Sequence, residues 1–215
     1  MPDLERNWNS FWKTNRELGN GVYGRANPVL LEHAGIFKKG KSDIEALDVA
    51  TGDGRYAIPL ALMGYNVTAI DKSKEAIGRL RERVTAVNHS LQIHTEEADI
   101  FDILMEERDY DLIICSGFIE EIPQSKHDKL ILGLQKWTTR SGINILRYVV
   151  EKRLSLNTEP EAVADHAHLQ NLYGSWKIAR SETEANFRQA KVGREINERI
   201  VNRFFRAATI VANRM

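Results

Sequence analysis

Residues 46–55 (ALDVATGDGR) constrain the fold of this chain more than any other stretch. The apolar run 46–50 is typical of a short buried strand. Gly52 and Gly54 follow it, and glycine permits a tight turn and a close backbone approach to a ligand. Residues 55–63 then predict a helix. Strand, glycine turn and helix form the opening of a nucleotide-binding α/β unit, in which backbone N–H groups of the turn lie beside the ligand.

An acidic residue, Asp71, ends the next predicted strand, 66–70. A carboxylate about 20 residues past the turn is placed to accept hydrogen bonds from a ribose diol, and the alternative is a helix N-cap. Asp53, inside the turn, would repel a pyrophosphate and would suit a ligand with a cationic end. S-adenosylmethionine is such a ligand, because it carries a sulfonium and an ammonium group and no phosphate.

These residues resemble the first motif of the class I methyltransferases, in which an acidic strand residue precedes a G-x-G turn. Asp48, Gly52 and Gly54 stand in those places, and Ala50 takes the place of the motif's first glycine. The resemblance implies S-adenosyl-L-methionine as the cofactor. Asp48 either holds N–H groups of the turn or contacts the ligand through water, and the sequence leaves both interpretations open.

The remaining pattern predicts strands that alternate with helices. Further strands are predicted at 91–94 (with an extension to 98), 110–115, 143–150, 176–183 and 207–212, and helices at 8–12, 27–36, 73–87, 124–137 and 162–172. Such alternation is typical of a parallel sheet with helices on both faces. Residues 184–202 are charged, and we expect part of them to be helical. The resemblance implies a Rossmann-like, seven-stranded, mostly parallel sheet with a C-terminal antiparallel strand.

We expect one domain, because 215 residues suffice for a full core and no internal repeat divides them. Residues 1–40 would form a helical cap, or a lid with its hinge at 19–21. Residues 41–150 would bind the cofactor, and 151–215 would form the substrate-side half and the terminal hairpin. If residues 194–206 are helical, they present an apolar side that packs either on their own sheet or on a partner subunit. A monomer and a homodimer therefore both stay open.

Composition narrows the class of protein. Thirty basic and thirty acidic residues cancel, so net charge offers no argument for nucleic acid or an anionic membrane. No apolar run reaches the roughly 20 residues that span a bilayer, and the first residues lack an apolar signal core. The single cysteine, Cys115, excludes an intrachain disulfide and a multi-cysteine zinc site, and the six histidines do not form a metal set. We expect a cytoplasmic protein without a metal centre or a membrane or nucleic-acid partner.

A longer series of features resembles the tellurite-resistance TehB-type methyltransferases and their relatives. The matching stretches are 22–24, 27–28, 47–55, 60–65, 67–72, 169–176 and 206–214. At the place of that subgroup's histidine–arginine pair this chain has Phe187-Arg188, which argues against tellurite or selenite chemistry.

The resemblance also implies which residues bind the cofactor: Asp48, Ala50, Gly52, Gly54, Arg55, Asp71, Lys72, Asp99, Ile100, Phe101, Ser116 and Gly117. Asp99 would accept a hydrogen bond from the adenine amino group, and its alternative is a helix cap or a loop position. The backbone carbonyls of Ser116 and Gly117 would face the methionine ammonium. Arg55 would bind the cofactor carboxylate or pair with a neighbour.

Methyl transfer from a sulfonium needs a general base only when the acceptor carries a proton at neutral pH. Three side chains are candidate bases for an oxygen or amine acceptor: His166, Glu120 and Tyr148. Arg188 and Arg206 are candidates for binding an anionic acceptor, and their alternative is an ordinary surface position. Trp12 and Tyr23 either close the pocket or pack in the core.

The sequence thus predicts a methyltransferase that acts on a small-molecule acceptor, such as a thiol, a chalcogen oxyanion or another small nucleophile. A methyltransferase of RNA or protein is the alternative. Residues 116–119 lack the Asn/Asp-Pro-Pro-aromatic tetrad of the enzymes that methylate amino groups in nucleic acids. A non-catalytic cofactor-binding or assembly protein is a second alternative, because a fold does not fix a function.

Overall fold

A mixed sheet flanked by helices forms the body of the protein in the computed structural model. The structure describes residues 7–14, 25–153, 161–185, 188–196 and 199–215. In these ranges the strands are β1 (Glu45–Val49), β2 (Asn66–Asp71), β3 (Ile93–Glu97), β4 (Tyr110–Ser116), β5 (Thr138–Arg153), β6 (Glu161–Ala162), β7 (Lys177–Thr183), β8 (Arg188–Ile196) and β9 (Arg199–Asn213). The helices are α1 (Trp8–Thr14), α2 (Pro28–Lys38), α3 (Ala57–Leu62), α4 (Lys74–Val87), α5 (Ile100–Ile103), α6 (His127–Trp137) and α7 (His166–Asn171).

The strand order fixes where a ligand can bind. It is β3-β2-β1-β4-β5-β9-β7, with β6 beside β5 and β8 beside β9. The strands from β3 to β5 pair in parallel, and β9 is antiparallel to both β5 and β7. The predicted seven-stranded, mostly parallel sheet with a C-terminal antiparallel strand is therefore confirmed. Because parallel strands end at one edge, the carboxyl ends of β1, β2 and β4 meet there, at the usual ligand-binding edge of such sheets.

Two apolar layers cover the faces of the sheet. The α6-side layer includes Leu130, Trp137 and Leu169 from α6 and α7. The α3-side layer includes Leu30 and Leu60 from α2 and α3. Side chains of a strand alternate between its two faces, and those of β5 alternate between these two layers. None of the described helices has the length and apolar character that a membrane crossing requires.

The prediction of helix within residues 184–202, and within the tail 194–206, is wrong. The chain there forms β8 and β9, which pair antiparallel from Arg188↔Phe205 to Ile196↔Arg199. The pairing of β9 with β5 reaches as far as Arg153↔Phe204. Strand pairing across the sheet, which the local charge pattern does not report, therefore sets the conformation of this segment.

Two smaller expectations also need correction. The fifth strand begins at Thr138 and not at residue 143, and it includes residues 139–142, where the register with β4 shifts. The predicted helix 162–172 is shorter, because Glu161–Ala162 form β6 and α7 begins at His166. The predicted hinge at 19–21 and the residues Tyr23 and Phe187 lie outside the described residues.

Candidate active site

The glycine turn after β1 has the backbone that its sequence predicts. Gly52 and Gly54 have φ of 58° and 83°, in the left-handed region that glycine adopts without strain. Ala50 has φ of 53°, so a residue with a Cβ occupies the same region where the family motif has glycine. The turn follows β1 directly and is tied to β2, because the Thr51 N–H donates to the Ile70 carbonyl at 2.9 Å.

Asp48 holds this turn from inside the protein. Its Oδ2 accepts hydrogen bonds from the Thr51 hydroxyl at 2.7 Å and from the Ala57 N–H at 2.9 Å. The residue is only 2% exposed, and this burial is the main reason why its pKa is raised to about 7. Of the two interpretations left open by the sequence, these contacts match the one in which Asp48 positions the turn.

Asp71 lies at the end of β2, beside the turn. Its Oδ2 accepts from the Gly52 N–H at 2.8 Å and its Oδ1 from the Ser73 N–H at 2.9 Å. Burial raises the pKa of this carboxyl, while both N–H donors act to lower it. Ser73, not Asp71, caps α4, since its hydroxyl accepts from the Ala76 N–H. An ionised carboxylate accepts about four hydrogen bonds, so Asp71 retains capacity for a diol.

Two charged residues of the turn are engaged within the protein. Asp53 is buried and forms an ion pair with Arg83 at 3.1 Å. Its charge is thereby paired, so the sequence argument that it attracts a cationic ligand is not supported by the geometry. The Arg55 Nε donates to the Arg25 carbonyl at 3.1 Å, which ties the turn to the chain before α2. Lys72 is exposed, directly after Asp71.

The segment after β3 offers a second acidic group. Asp99 caps α5, with its Oδ1 accepting from the Phe101 N–H at 3.0 Å. Its cap role leaves the other carboxylate oxygen for a further donor, such as an amino group. Ile100 is buried, and the half-buried Phe101 ring lies 6.4 Å from the Phe118 ring. Aromatic surface and a carboxylate thus occur together at this point of the edge.

Helix α1 lies over the glycine turn. Trp12 is 3% exposed, and a Cβ at Gly52 would come within 2.7 Å of its indole ring. Asn9 of the same helix accepts at Oδ1 from the Ser73 hydroxyl at 2.7 Å. The helix therefore packs against the domain at the glycine turn, and this position is compatible with both a cap and a lid.

The end of β4 forms the third part of the edge. Ser116 ends the strand, and Gly117 follows with φ of 80°. The Gly117 N–H donates to the Arg147 carbonyl of β5 at 3.0 Å, so the chain turns beside β5. The Ser116 hydroxyl donates to the Tyr56 hydroxyl at 3.2 Å, which links the tip of β4 to the glycine turn.

Glu120 lies just past this tip, in the 3-10 turn Ile119–Glu121. Its Oε2 is shielded from solvent and has no hydrogen-bond partner within the described part of the chain. Burial is the main cause that raises its pKa to about 7; Glu121 raises it further, and the Val149 N–H and the Arg147 charge lower it.

Arg147 is a residue of this site that sequence reasoning missed. Its guanidinium donates to the Thr209 hydroxyl of β9 at 3.2 Å and to the Glu184 carboxylate that follows β7. Arg206 forms a similar ion pair with Glu151 at 2.6 Å. These pairs make a polar surface on β5, β7 and β9, next to the tip of β4. The available signal was one charged residue within the mostly apolar stretch 143–150.

The remaining predicted acceptor-side residues are Tyr148, His166 and Arg188, and they do not lie together. Tyr148 shares a hydrogen bond of 2.8 Å with Nδ1 of His166, whose Nε2 lies 3.1 Å from the Ser181 hydroxyl. Burial lowers the pKa of His166 and raises that of Tyr148. Tyr148 belongs to the α6-side layer, so it lies on the opposite face of β5 from Arg147. Arg188 is described only as a backbone position of β8, in register with Phe205.

The residues of this edge fit S-adenosylmethionine chemically. Carboxylates of Asp71 and Asp99 suit a ribose diol and an adenine amino group, and carbonyls at the tip of β4 suit an ammonium. The backbone of Gly52 comes closer to Trp12 than a Cβ would allow. Among the described residues, no group of three His, Cys, Asp or Glu side chains is placed to hold a metal ion.

Comparisons with known proteins point to the same class of protein as the residues of this edge. A family model described as a methyltransferase domain matches residues 46–142. A ubiquinone biosynthesis O-methyltransferase of Rickettsia prowazekii is 33% identical over 149 residues, which are 66% of this chain and 54% of the relative. The homologue of Rickettsia felis is 35% identical over 153 residues, or 66% of this chain and 56% of the relative. The chain thus spans little more than half the length of these curated relatives.

Solved structures share the fold at low sequence identity. TehB from Haemophilus influenzae superposes with a TM-score of 0.67 at 21% identity, covering 88% of this chain and 63% of that one. Magnesium protoporphyrin IX methyltransferase from Synechocystis, with bound SAM, superposes with a TM-score of 0.63 at 17% identity, covering 87% and 77%. The family model, the relatives and the fold agree that the chain carries a class I, S-adenosylmethionine-dependent methyltransferase domain.

Proposed function

We propose that this protein transfers the methyl group of S-adenosylmethionine to a hydroxyl oxygen of a small molecule. The observation that carries the proposal is its 33% identity to a ubiquinone biosynthesis O-methyltransferase over 149 residues. The chain spans 54% of that relative, so the acceptor is argued from the site itself.

The cofactor would lie along the carboxyl edge of β1, β2 and β4. In this proposal Asp71 accepts from the ribose diol and Asp99 from the adenine amino group. The carbonyls of Ser116 and Gly117 then face the methionine ammonium, beside the Glu120 turn. Asp48 acts indirectly, because its bonds to Thr51 and Ala57 hold the turn in shape.

When bound, the cofactor supplies a methyl group on a sulfonium, which is an activated leaving group. The protein has to align the acceptor oxygen with that methyl group and keep water away. The polar surface of Arg147, Thr209 and Glu184 is suited to orient a hydroxylated acceptor, because it is held rigid by its own hydrogen bonds. The tip of β4 adjoins this surface directly, through the register Ser116↔Arg147.

The charges of this surface favour a neutral hydroxyl over a chalcogen oxyanion. An oxyanion would meet the Glu120 carboxyl and an arginine whose charge is already paired with Glu184. A hydroxyl can instead donate a hydrogen bond to a carboxylate oxygen. Glu120 Oε2 receives no such bond from the described residues, so a hydroxyl acceptor would supply it.

The test is a turnover assay with purified protein, S-adenosylmethionine and small aromatic acceptors that present different reacting atoms. Catechol, thiophenol and aniline form such a set, with selenite as the oxyanion. Mass spectrometry should detect a methylated product from catechol in preference to the other three. Methylation of thiophenol or selenite alone would overturn the choice of oxygen, and turnover on bulk tRNA or extract protein alone would overturn the small-molecule proposal.

A further inference from the structure

The turn that carries Glu120 is positioned between two strands. It begins two residues after Gly117 and contacts β5. Oε1 of Glu120 lies 3.9 Å from the place that a Cβ on Gly117 would take, so the carboxyl reaches back to the tip of β4. The Val149 N–H donates to the same carboxyl from β5. Glu120 therefore bridges the cofactor edge and the polar surface around Arg147.

A buried histidine fixes this turn. The ring Nε2 of His127, the first residue of α6, lies 3.0 Å from the Ile119 carbonyl, and His127 is 3% exposed. A carbonyl only accepts, so Nε2 carries the proton in this contact. The Glu121 N–H also donates to the Phe118 carbonyl at 2.9 Å. The turn is thus held at both sides of Glu120, which is the preorganisation that a reacting group needs.

The carboxyl is left with unused hydrogen-bonding capacity. Oε2 is buried and has no partner in the residues that the structure describes. A buried acceptor without a donor is unfavourable, and native proteins retain such groups where a ligand completes them. Arg147 supplies positive charge nearby, which favours the ionised form of the carboxyl. An incoming O–H group is the donor that this arrangement lacks.

We propose that Glu120 is the catalytic base of this protein and that its Oε2 accepts the proton of a phenolic hydroxyl on the acceptor. This inference rests on the proposed function. The acceptor O–H bond breaks and its proton moves to Oε2. An oxygen lone pair forms the bond to the methyl carbon, and the carbon–sulfur bond breaks with its electron pair left on sulfur. S-adenosylhomocysteine and the methyl ether are the products.

The choice of a phenol follows from acidity. Burial raises the pKa of Glu120 to about 7, so the carboxyl is a stronger base than an ordinary glutamate. A phenol has a pKa of about 10, as tyrosine does, and is near enough in acidity for proton transfer as the new bond forms. An aliphatic alcohol is much less acidic and is matched poorly to a carboxylate base.

The other two candidate bases are placed less well. Tyr148 is 1% exposed, and its hydroxyl shares a hydrogen bond with His166 on the α6-side face of β5. Glu120 instead interacts electrostatically with Arg147, whose side chain lies on the α3-side face of β5. The electrostatic neighbours of Glu120 are Glu121 in its own turn, Arg147 on β5 and the Cys115 thiol of β4. His127 approaches the same turn from α6.

The test compares Glu120→Gln with Glu121→Gln, a matched control in the same turn at an exposed position. With catechol as the acceptor at pH 7.5, Glu120→Gln should lower kcat by about 10²–10⁴-fold, the usual share of a general base. Glu121→Gln should change kcat by a few-fold at most, because it removes only the charge that raises the pKa of Glu120 further. The deficit of Glu120→Gln should shrink toward pH 10, because the phenol then ionises without a base. A merely structural role would leave the deficit constant across pH.

A second readout needs no turnover. In protein labelled with ¹³C at the glutamate δ-carboxyl, one carboxyl resonance should titrate with a pKa of about 7. That resonance should be absent in Glu120→Gln and present in Glu121→Gln, where its pKa should be lower because the neighbouring charge is removed. Full activity in Glu120→Gln, or a Glu120 carboxyl that titrates at an ordinary value, would overturn this inference alone. A folded wild-type protein that methylates no hydroxyl acceptor would overturn the proposed function and this inference together.

Discussion

The two ends of the binding edge are built in different ways. Around β1 and β2, carboxylates accept hydrogen bonds mainly from backbone N–H groups, as Asp71 does from Gly52 and Ser73. Around β5, β7 and β9, side chains bind side chains, as Arg147 binds Glu184 and Thr209. A backbone-held cradle suits a cofactor that is always the same. A surface built from exchangeable side chains suits an acceptor that differs between enzymes of one fold.

The largest expected effect is in the region around β1 and β2, where Asp48 should make the free energy of unfolding depend on pH. Its pKa is about 7 in the folded protein against an ordinary value of 3.8, so the folded state binds more protons between these pH values. The free energy of unfolding should therefore fall as the pH rises from about 4 to about 7, by about 4 kcal/mol from this group. Asn at this position offers one oxygen that can accept the same two bonds, so Asp48→Asn should flatten the slope.

Urea unfolding at several pH values measures this slope. Asp109→Asn, at an exposed position, is the matched control and should leave it unchanged. Part of the slope should persist in Asp48→Asn, because Glu120 has a raised pKa as well. A wild-type free energy of unfolding that rises through this pH window would contradict the assignment of a raised pKa to Asp48.

A smaller loss of stability is expected when the ion pair of the acceptor surface around Arg147 is broken. Arg147 and Glu184 are 15% and 16% exposed, so Arg147→Ala leaves a shielded carboxylate and should destabilise the protein by about 2 kcal/mol. Affinity for S-adenosylmethionine should stay unchanged. The double variant with Glu184→Ala should recover part of the lost stability, as a double-mutant cycle by thermal unfolding can measure. Additive losses would mean that the pair is not coupled, and a loss of cofactor affinity would contradict the separation of the two regions.

The smallest expected change in stability comes from Ala50 in the glycine turn after β1. Ala50 has φ of 53°, where a residue with a Cβ is strained and glycine is not. Ala50→Gly should raise the free energy of unfolding by up to about 1 kcal/mol, less the greater entropy of glycine in the unfolded chain. Gly78→Ala in α4, where nothing lies within 4 Å of the new Cβ, is a control for the glycine–alanine exchange in ordinary backbone. A loss of stability in Ala50→Gly would show that the alanine methyl contributes packing that outweighs the strain.

The same contrast explains what could be predicted from the sequence. The cradle depends on local signals, since an apolar run, a G-x-G turn and an aspartate after the next strand lie within residues 46–71. The acceptor surface depends on contacts between residues far apart in the chain, such as Arg147 with Glu184. Nothing near Arg147 in the sequence indicates that partner. The sequence likewise does not show that residues 188–196 pair with β9, and this pairing makes them a strand where part of 184–202 is predicted to be helical.

Within the cradle, the sequence identified residues better than roles. Asp48 and Asp53 are both acidic and close to the turn, and only the structure separates them. Asp48 binds the turn, and Asp53 binds Arg83 of α4. Trp12 was predicted either to close the pocket or to pack in the core, and its contact with Gly52 depends on how α1 folds back on the sheet.

The most direct test of the whole account is calorimetric titration of the protein with S-adenosylmethionine and S-adenosylhomocysteine, comparing wild type with Asp71→Ala. We expect micromolar binding, about −8 kcal/mol, in the wild type. Loss of two charge-assisted hydrogen bonds should weaken it by about 100-fold or more in Asp71→Ala, while Asp109→Ala binds normally. Equal affinity in Asp71→Ala, or no binding of either ligand to the folded wild type, would contradict the assignment of this edge as the cofactor site.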